Sequence, residues 1–277
     1  MNPPASIVIV GAGQAGSMAA VALRAQGFEG RLTLLGREIH APYERPPLSK
    51  EVLCASEEPA TRIHPRGLYQ SQAIDWQAGV DAIALDRTNR EVGLSDGRRV
   101  GYDRCLLATG GDARELPGLP RGTEEVHYLR TLEDARRLRS ALTPGRRVVV
   151  IGGGFLGLEL ASSARARQAS VEMLETAPRL LERFMPPAGS AWLAARARQT
   201  GIGLHLDARL QAAHDIDHTT GALRIIRDDA PPLEADVVVV AVGLVPDTRL
   251  ARHAGLEIDP SNGGIRVDEQ CRSSDPA

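Results

Sequence analysis

The stretch Ile7-Val8-Ile9-Val10-Gly11-Ala12-Gly13-Gln14-Ala15-Gly16 decides the reading of this chain, because a close echo of it returns as Val148-Val149-Val150-Ile151-Gly152-Gly153-Gly154-Phe155-Leu156-Gly157. In each copy four consecutive β-branched residues read as a strand buried on both faces, the pattern of a parallel sheet. A G-x-G-x-x-G turn follows and opens an Ala/Leu-rich helical stretch, the context that gives this motif its meaning. The first glycine makes the tight turn, the second lets a pyrophosphate approach the backbone, and the third allows close helix–strand packing. The helix N-terminus adds partial positive charge. The candidate dinucleotide contacts are Gly11, Gly13, Ala15 and Gly16 in the first copy, and Gly152, Gly154, Phe155 and Gly157 in the second. The copies are too far apart for a solenoid repeat and imply two related dinucleotide-binding units.

Working outward, the first helix spans about Gln14 to Gln26 and stops at Gly27, a C′ glycine. A second strand follows in each unit, Leu32 to Leu35 and Ser170 to Leu174. Glu175 ends the latter, at the spacing of the acid about 20 residues on that binds a ribose 2′-hydroxyl. A carboxylate there repels the 2′-phosphate of NADP, so this half is expected to prefer NAD. Arg179 and Arg183 lie nearby and offer a phosphate contact instead. Between the units, Val80–Asp86, Arg90–Leu94 and Arg99–Ala108 read as strands, and Asp96-Gly97 as a hairpin. Thr131-Leu132-Glu133-Asp134 has the form of a capping box opening a helix to about Leu142. Beyond the second motif, a helix is expected over Ala188–Gln199 and strands over Ile202–Leu206, Leu223–Arg227 and Asp236–Val242.

The 277 residues carry a net charge of -2, 43% hydrophobic and 25% charged residues. That suits one or two domains of about 100–200 residues. It excludes a polybasic arm and an acidic disordered tail. Three Phe, four Tyr and two Trp are too few for the stacking platforms of single-stranded nucleic acid binding, so no nucleic-acid partner is expected. The longest uncharged apolar run, Val148 to Leu158, falls short of the roughly 18 residues of a membrane span. The N-terminus lacks a basic n-region, and the chain reads as soluble and cytoplasmic. Cys54, Cys105 and Cys271 form neither a disulfide framework nor a metal pattern. Cys54 reads as a buried structural thiol. His214-Asp215-Ile216-Asp217-His218 reads as an exposed turn between strands and not as a metal site, so no metal is expected. Of 33 basic residues, 32 are Arg and one is Lys, at position 50.

That lysine closes Pro42-Tyr43-Glu44-Arg45-Pro46-Pro47-Leu48-Ser49-Lys50. With the two glycine motifs, Ala108-Thr109-Gly110, Tyr128-Leu129-Arg130, Gly157-Leu158-Glu159 and Ala241-Val242-Gly243-Leu244-Val245-Pro246, the chain resembles the FAD- and NAD(P)-dependent pyridine nucleotide oxidoreductases. More narrowly, it is similar to the ferredoxin reductases of bacterial ring-hydroxylating dioxygenases, to rubredoxin and putidaredoxin reductases, and to apoptosis-inducing factor. The resemblance covers essentially the whole chain. It implies FAD on the first glycine unit and NAD(H) on the second. Arg45 is implied at the FAD pyrophosphate, Val80 at the adenine, and Ala108, Thr109, Gly110 and Arg130 along the FAD. Lys50 is implied beside the flavin N5 and paired with Glu159, these two being the catalytic candidates. Leu156, Glu175, Thr176, Arg183 and Gly243 are implied at the NADH site. Where relatives often carry an acid beside the FAD ribose, position 37 is Arg; Glu38 is the nearest carboxylate and takes that role with Arg37 beside it. A compact ammonium suits a flavin edge that gains negative charge better than a broad guanidinium does.

The expected fold is α/β, with two Rossmann-like three-layer dinucleotide-binding domains of the glutathione-reductase type. Residues 1–112 and 242–277 would form the FAD domain, and 113–241 an inserted NAD domain. Relatives continue past the position of Ala277 into a Gly-Asp strand and a C-terminal interface domain, so the FAD domain is expected to be incomplete and the interface domain absent. The implied activity is NADH-dependent reduction of a ferredoxin-type iron–sulfur protein of an oxygenase system. Alternatives are a non-catalytic NADH-responsive flavoprotein similar to apoptosis-inducing factor, and a rubredoxin or nitrite reductase-type flavoprotein. Oligomeric state is left open.

Overall fold

The structure is a computed structural model that describes residues 4–217, 222–228, 230–275 and 277. The chain forms two compact units, one from residues 1–44, 61–112 and 245–277, the other from 45–60 and 113–244.

In the first unit four parallel strands lie in the order Ile74–Ala78, Arg31–Gly36, Ser6–Val10, Arg104–Leu107. The period-2 alternation of a strand divides Ile7-Val8-Ile9-Val10 between two faces. Ile7 and Ile9 pack with Leu32, Leu34 and Ala20 of the helix Gln14–Ala25. Val8 and Val10 pack with Leu35 and with Val92 and Leu94 of a three-stranded antiparallel sheet. That sheet consists of Ala82–Asp86, Glu91–Leu94 and Arg99–Gly101. Helix, parallel sheet and antiparallel sheet make three layers. Leu34 is fully buried, so Leu34→Ala is expected to cost about 2–5 kcal/mol.

The second unit repeats the plan. Five parallel strands lie in the order Ile202–His205, Ser170–Leu174, Arg147–Ile151, Val237–Val240, Val126–Tyr128. Val149, Ile151, Val238 and Val240 pack with Leu223 and Ile225 of an antiparallel sheet formed by Leu210–Asp217, Ala222–Arg227 and Ala230–Ala235. Val148 and Val150 serve the opposite face, towards the helix Phe155–Ala166, which buries Leu160, Ala161 and Ala164. The helix Leu132–Ala141 starts at the expected capping box. Asp134 N–H donates to Thr131 Oγ1 at 3.1 Å, and Thr131 N–H donates to Asp134 Oδ2 at 2.8 Å. The fold class read from the repeated motif is the one observed.

Several elements differ from expectation. The segment read as one strand from Arg99 to Ala108 is two strands, Arg99–Gly101 and Arg104–Leu107, which belong to different sheets. The break falls at Asp103, whose carboxylate accepts from the N–H groups of Ala5 and Ser6 at 2.7 and 2.9 Å and turns the chain onto the first strand. His214 to Asp217 lie not in a turn but at the end of the strand Leu210–Asp217, paired antiparallel with Ala222–Arg227; His218 and residues 219–221 lie outside the described residues. Cys54 is exposed rather than buried, because it ends the one-turn helix Glu51–Cys54, whose buried residues are Val52 and Leu53.

Candidate functional site

Both glycine turns sit at the carboxyl end of the strand beside which the sheet order reverses, the switch point where open α/β sheets bind ligands. Gly11 holds φ +109° and Gly152 φ +111°, a left-handed conformation that glycine alone adopts at little cost. A Cβ on Gly11 would lie 2.2 Å from Ala108 O, and one on Gly152 2.4 Å from Ala241 O. The third glycines are tighter still. A Cβ on Gly16 would lie 2.0 Å from Gly11 O, and one on Gly157 1.8 Å from Gly152 O, so helix and strand meet backbone to backbone. The middle glycines are the reverse: nothing lies within 4 Å of a Cβ built on Gly13 or Gly154. These two residues are also the N-caps of their helices, and neither N-terminus is capped by a side chain. Each turn therefore offers free helix N–H groups beside an open backbone surface, the arrangement that admits a pyrophosphate. The residues fit two dinucleotides.

Around the second turn, Glu175 Oε2 accepts from Gly153 N–H at 2.6 Å and Oε1 from Ala177 N–H at 2.8 Å, so the carboxylate is pre-set beside the loop. Thr176 adjoins it, with its hydroxyl 3.3 Å from Glu175 Oε1. Arg179 donates to Met185 O at 2.6 Å and is thereby tied to the loop, which leaves Arg183, on the surface, as the guanidinium open to a phosphate. Phe155, the first residue of the helix, is 55% exposed and packs its ring 5.3 Å from that of Phe184. Leu156 follows half-buried. Gly243 holds φ +112° just beyond the neighbouring strand, its carbonyl accepting from Arg114 N–H at 2.9 Å.

Around the first turn, Ala15 lies in the first turn of the helix and Ala108 closes the loop, its N–H donating to Val10 O at 2.8 Å. Thr109 Oγ1 donates to Asp247 O at 2.6 Å, and Asp247 N–H donates to Gly110 O at 3.0 Å. Arg249, hydrogen-bonded to Asp247, holds that carboxyl below the usual range. Arg37 reaches towards Asp112 and Asp247 at 3.9 and 3.7 Å, so the guanidinium at the expected ribose position stands among acids. Glu38 accepts from Tyr43 OH at 2.5 Å. Val80 N–H donates to Gly36 O at 2.9 Å.

The segment 45–60 carries the lysine motif. Arg45 donates to the Arg130 carbonyl, and Arg130 N–H donates to Asp134 Oδ2 at 3.1 Å. Lys50 Nζ lies 2.8 Å from Glu159 Oε1, joining two residues distant in sequence. The lysine also donates to Pro46 O at 3.1 Å.

Compared with known proteins, residues 5–277 match the pyridine nucleotide-disulphide oxidoreductase family. The chain belongs to that family. The ferredoxin–NAD(+) reductase component of a p-cumate 2,3-dioxygenase system from Pseudomonas putida is 39% identical over 262 residues, covering 95% of this chain and 63% of its own length. Putidaredoxin reductase from Pseudomonas putida is 38% identical, covering 100% of this chain and 66% of its own length. The crystal structure of a covalent putidaredoxin reductase–putidaredoxin complex superposes with a TM-score of 0.92 at 37% identity, over 98% of this chain and 65% of that one. The chain thus spans about two thirds of the length of these relatives.

This member of the pyridine nucleotide-disulphide oxidoreductases has three free cysteines and no disulfide. No helix among the described residues is long and apolar enough to cross a membrane. The sequence reading passed over Ser49, which donates to Glu159, and Asp247, which ties the Thr109–Gly110 turn. Ser49 lies within the lysine motif and Asp247 directly follows Pro246, but nothing local marks either as a partner of a distant segment.

Proposed function

We propose that this chain carries the FAD- and NADH-binding machinery of a reductase that passes electrons from NADH to a ferredoxin-type iron–sulfur protein of an oxygenase system. The observation that carries the reading is the pair of open, uncapped glycine cradles combined with the Lys50–Glu159 ion pair. The named relatives, ferredoxin– and putidaredoxin-reducing proteins, support the choice of acceptor. Bound FAD would supply the two-electron hydride acceptor for NADH and the one-electron donor for the iron–sulfur partner.

In this reading residues 1–112 and 242–277 bind FAD and residues 113–241 bind NAD(H). Gly13, Ala15 and Gly16 present N–H groups to the FAD pyrophosphate, while Gly11, whose N–H donates to Leu35 O at 2.9 Å, makes the turn and Arg45 adds charge. Arg37 and Glu38 flank the ribose, Val80 meets the adenine, and Ala108, Thr109, Gly110 and Arg130 line the remainder. Gly152, Gly154, Phe155, Leu156 and Gly157 hold the second pyrophosphate, while Thr176, Arg183 and Gly243 border the dinucleotide. Glu175 accepts from the ribose hydroxyls and repels a 2′-phosphate. Lys50, held by Glu159, places an ammonium at the flavin edge where negative charge collects. The location is cytoplasmic.

The test is spectroscopic. The purified chain is expected to bind FAD stoichiometrically, to lose its visible flavin absorbance on anaerobic NADH addition, and to support ferredoxin-dependent cytochrome c reduction. Absence of bound flavin at saturating FAD overturns the reading. Flavin bleaching without any ferredoxin-dependent reduction overturns the acceptor and leaves an NADH-responsive flavoprotein.

A further inference from the structure

The Lys50–Glu159 pair is half-exposed, with side-chain exposures of 42% and 34%. Ion pairs of that kind are ordinarily loose, because the long side chains give up rotamer freedom for little net Coulomb energy in water. What surrounds this pair is not loose. Ser49 is only 2% exposed, and its Oγ donates to Glu159 Oε2 at 2.6 Å, the oxygen that Lys50 does not use. Ser163, 6% exposed, donates its Oγ to the Ser49 carbonyl at 2.6 Å. Glu159 and Ser163 lie four residues apart on the helix Phe155–Ala166, so both present to one face. Ser49 ends the 3-10 turn Pro46–Ser49, whose two prolines fix their own φ angles. Turn and helix are therefore stitched by two serine hydroxyls donating in opposite directions, and the ion pair hangs from that seam.

We propose that Ser49 is a positioning residue for Lys50: it blocks rotation of the Glu159 carboxylate, so that the remaining oxygen holds the ammonium at one point, while Ser163 fixes the turn from which both Ser49 and Lys50 project. The inference deepens the reductase reading and rests on it for the role of the ammonium.

The composition supplies a direct readout. Lys50 is the one lysine in the chain, so protein grown on lysine labelled at Cε and Nζ gives a single side-chain signal. In the FAD-loaded wild type, the Hε protons are expected to be inequivalent and the ammonium protons slow to exchange with water. Ser49→Ala is expected to speed that exchange about fivefold, the factor for losing one net hydrogen bond, and to merge the Hε signals. Ser49→Thr keeps the hydroxyl and is expected to restore both. In a Glu159→Gln background, Ser49→Ala is expected to add nothing, because the two changes act through one contact. In stopped-flow reduction, Ser49→Ala lowers the rate constant of flavin reduction and leaves the Kd for NADH unchanged. If Ser49→Ala does not fold, Ser163→Ala tests the same seam and is expected to move the lysine signal in the same direction by less.

An unchanged lysine signal in Ser49→Ala refutes the proposal. So does an equal change with and without Glu159→Gln, which marks general loosening. Failure of the reductase reading looks different: the protein would take up no flavin, whatever its lysine signal.

Discussion

Alanine in place of the second and of the third glycine of one turn separates ligand binding from folding within four residues. Gly154 has φ -78° and ψ -175°, angles open to any residue, and a Cβ there meets nothing within 4 Å. Gly154→Ala should therefore leave stability within about 1 kcal/mol, since a less flexible unfolded chain offsets a slightly poorer N-cap. The new methyl occupies the surface through which a pyrophosphate approaches. Losing one charge-assisted hydrogen bond there costs about 1.5–3 kcal/mol, or roughly ten- to hundredfold in NADH affinity. Gly157→Ala should do the opposite. Its Cβ would stand 1.8 Å from Gly152 O, backbone against backbone, with no side chain able to yield. Helix and strand must part, at a cost of about 3 kcal/mol or more. At about 2–4 °C per kcal/mol for a protein of this size class, the melting temperature should fall by roughly 6–12 °C. Thermal melts and NADH titration by fluorescence, run on both variants, measure the two effects side by side. Gly154→Ala that binds NADH like the wild type, or Gly157→Ala that melts with it, refutes the assignment of separate tasks to these glycines.

Glu175→Ala removes the carboxylate beside the second cradle, so the ratio of NADH to NADPH efficiency should fall by roughly tenfold, read from kcat/KM with each nucleotide; an unchanged ratio denies Glu175 its selectivity. Burial pushes the Cys105 thiol up to about 12, whereas Cys54 and Cys271 are exposed, so iodoacetamide near neutral pH should alkylate those two at least ~10-fold faster than Cys105, read by peptide mass spectrometry. Hydrogen bonds from Arg147 hold the Asp236 carboxyl below its ordinary value. A depressed folded value makes this contribution present above the unfolded value of about 3.9 and lost as pH falls through the folded one. Asp236→Asn should therefore cost about 1 kcal/mol at pH 7, with the difference from wild type shrinking as the pH drops below about 4 in urea melts; a gap independent of pH would point to packing instead.

Local signals were legible wherever a short segment carries its own reason for its shape. Ile7–Val10 and Val148–Ile151 are buried on both faces, so their continuous β-branched runs announce parallel strands. Thr131 and Asp134 cap a helix with groups three residues apart. The strands that escaped notice lack such a signature. Ala230–Ala235 contains Pro231 and Pro232, yet it is an edge strand of its sheet, where a missing N–H costs no ladder bond. Ile74–Ala78 and Val126–Tyr128 are likewise edge strands, short and partly polar, each paired on one side only.

By itself the sequence determined that there are two dinucleotide cradles, because a strand, a glycine turn and a helix N-terminus make one out of ten consecutive residues. It also singled out Lys50, by composition alone. The family resemblance implied Glu159 as its partner; only the tertiary structure decided what holds that pair in place. Glu159 and Ser163 lie on a helix more than a hundred residues away, and Ser49 is set against them by the docking of a proline-bound turn. Hydrogen bonds of 2.6 Å between such segments depend on where packing brings two backbones together, and no periodicity or spacing along the chain encodes that distance.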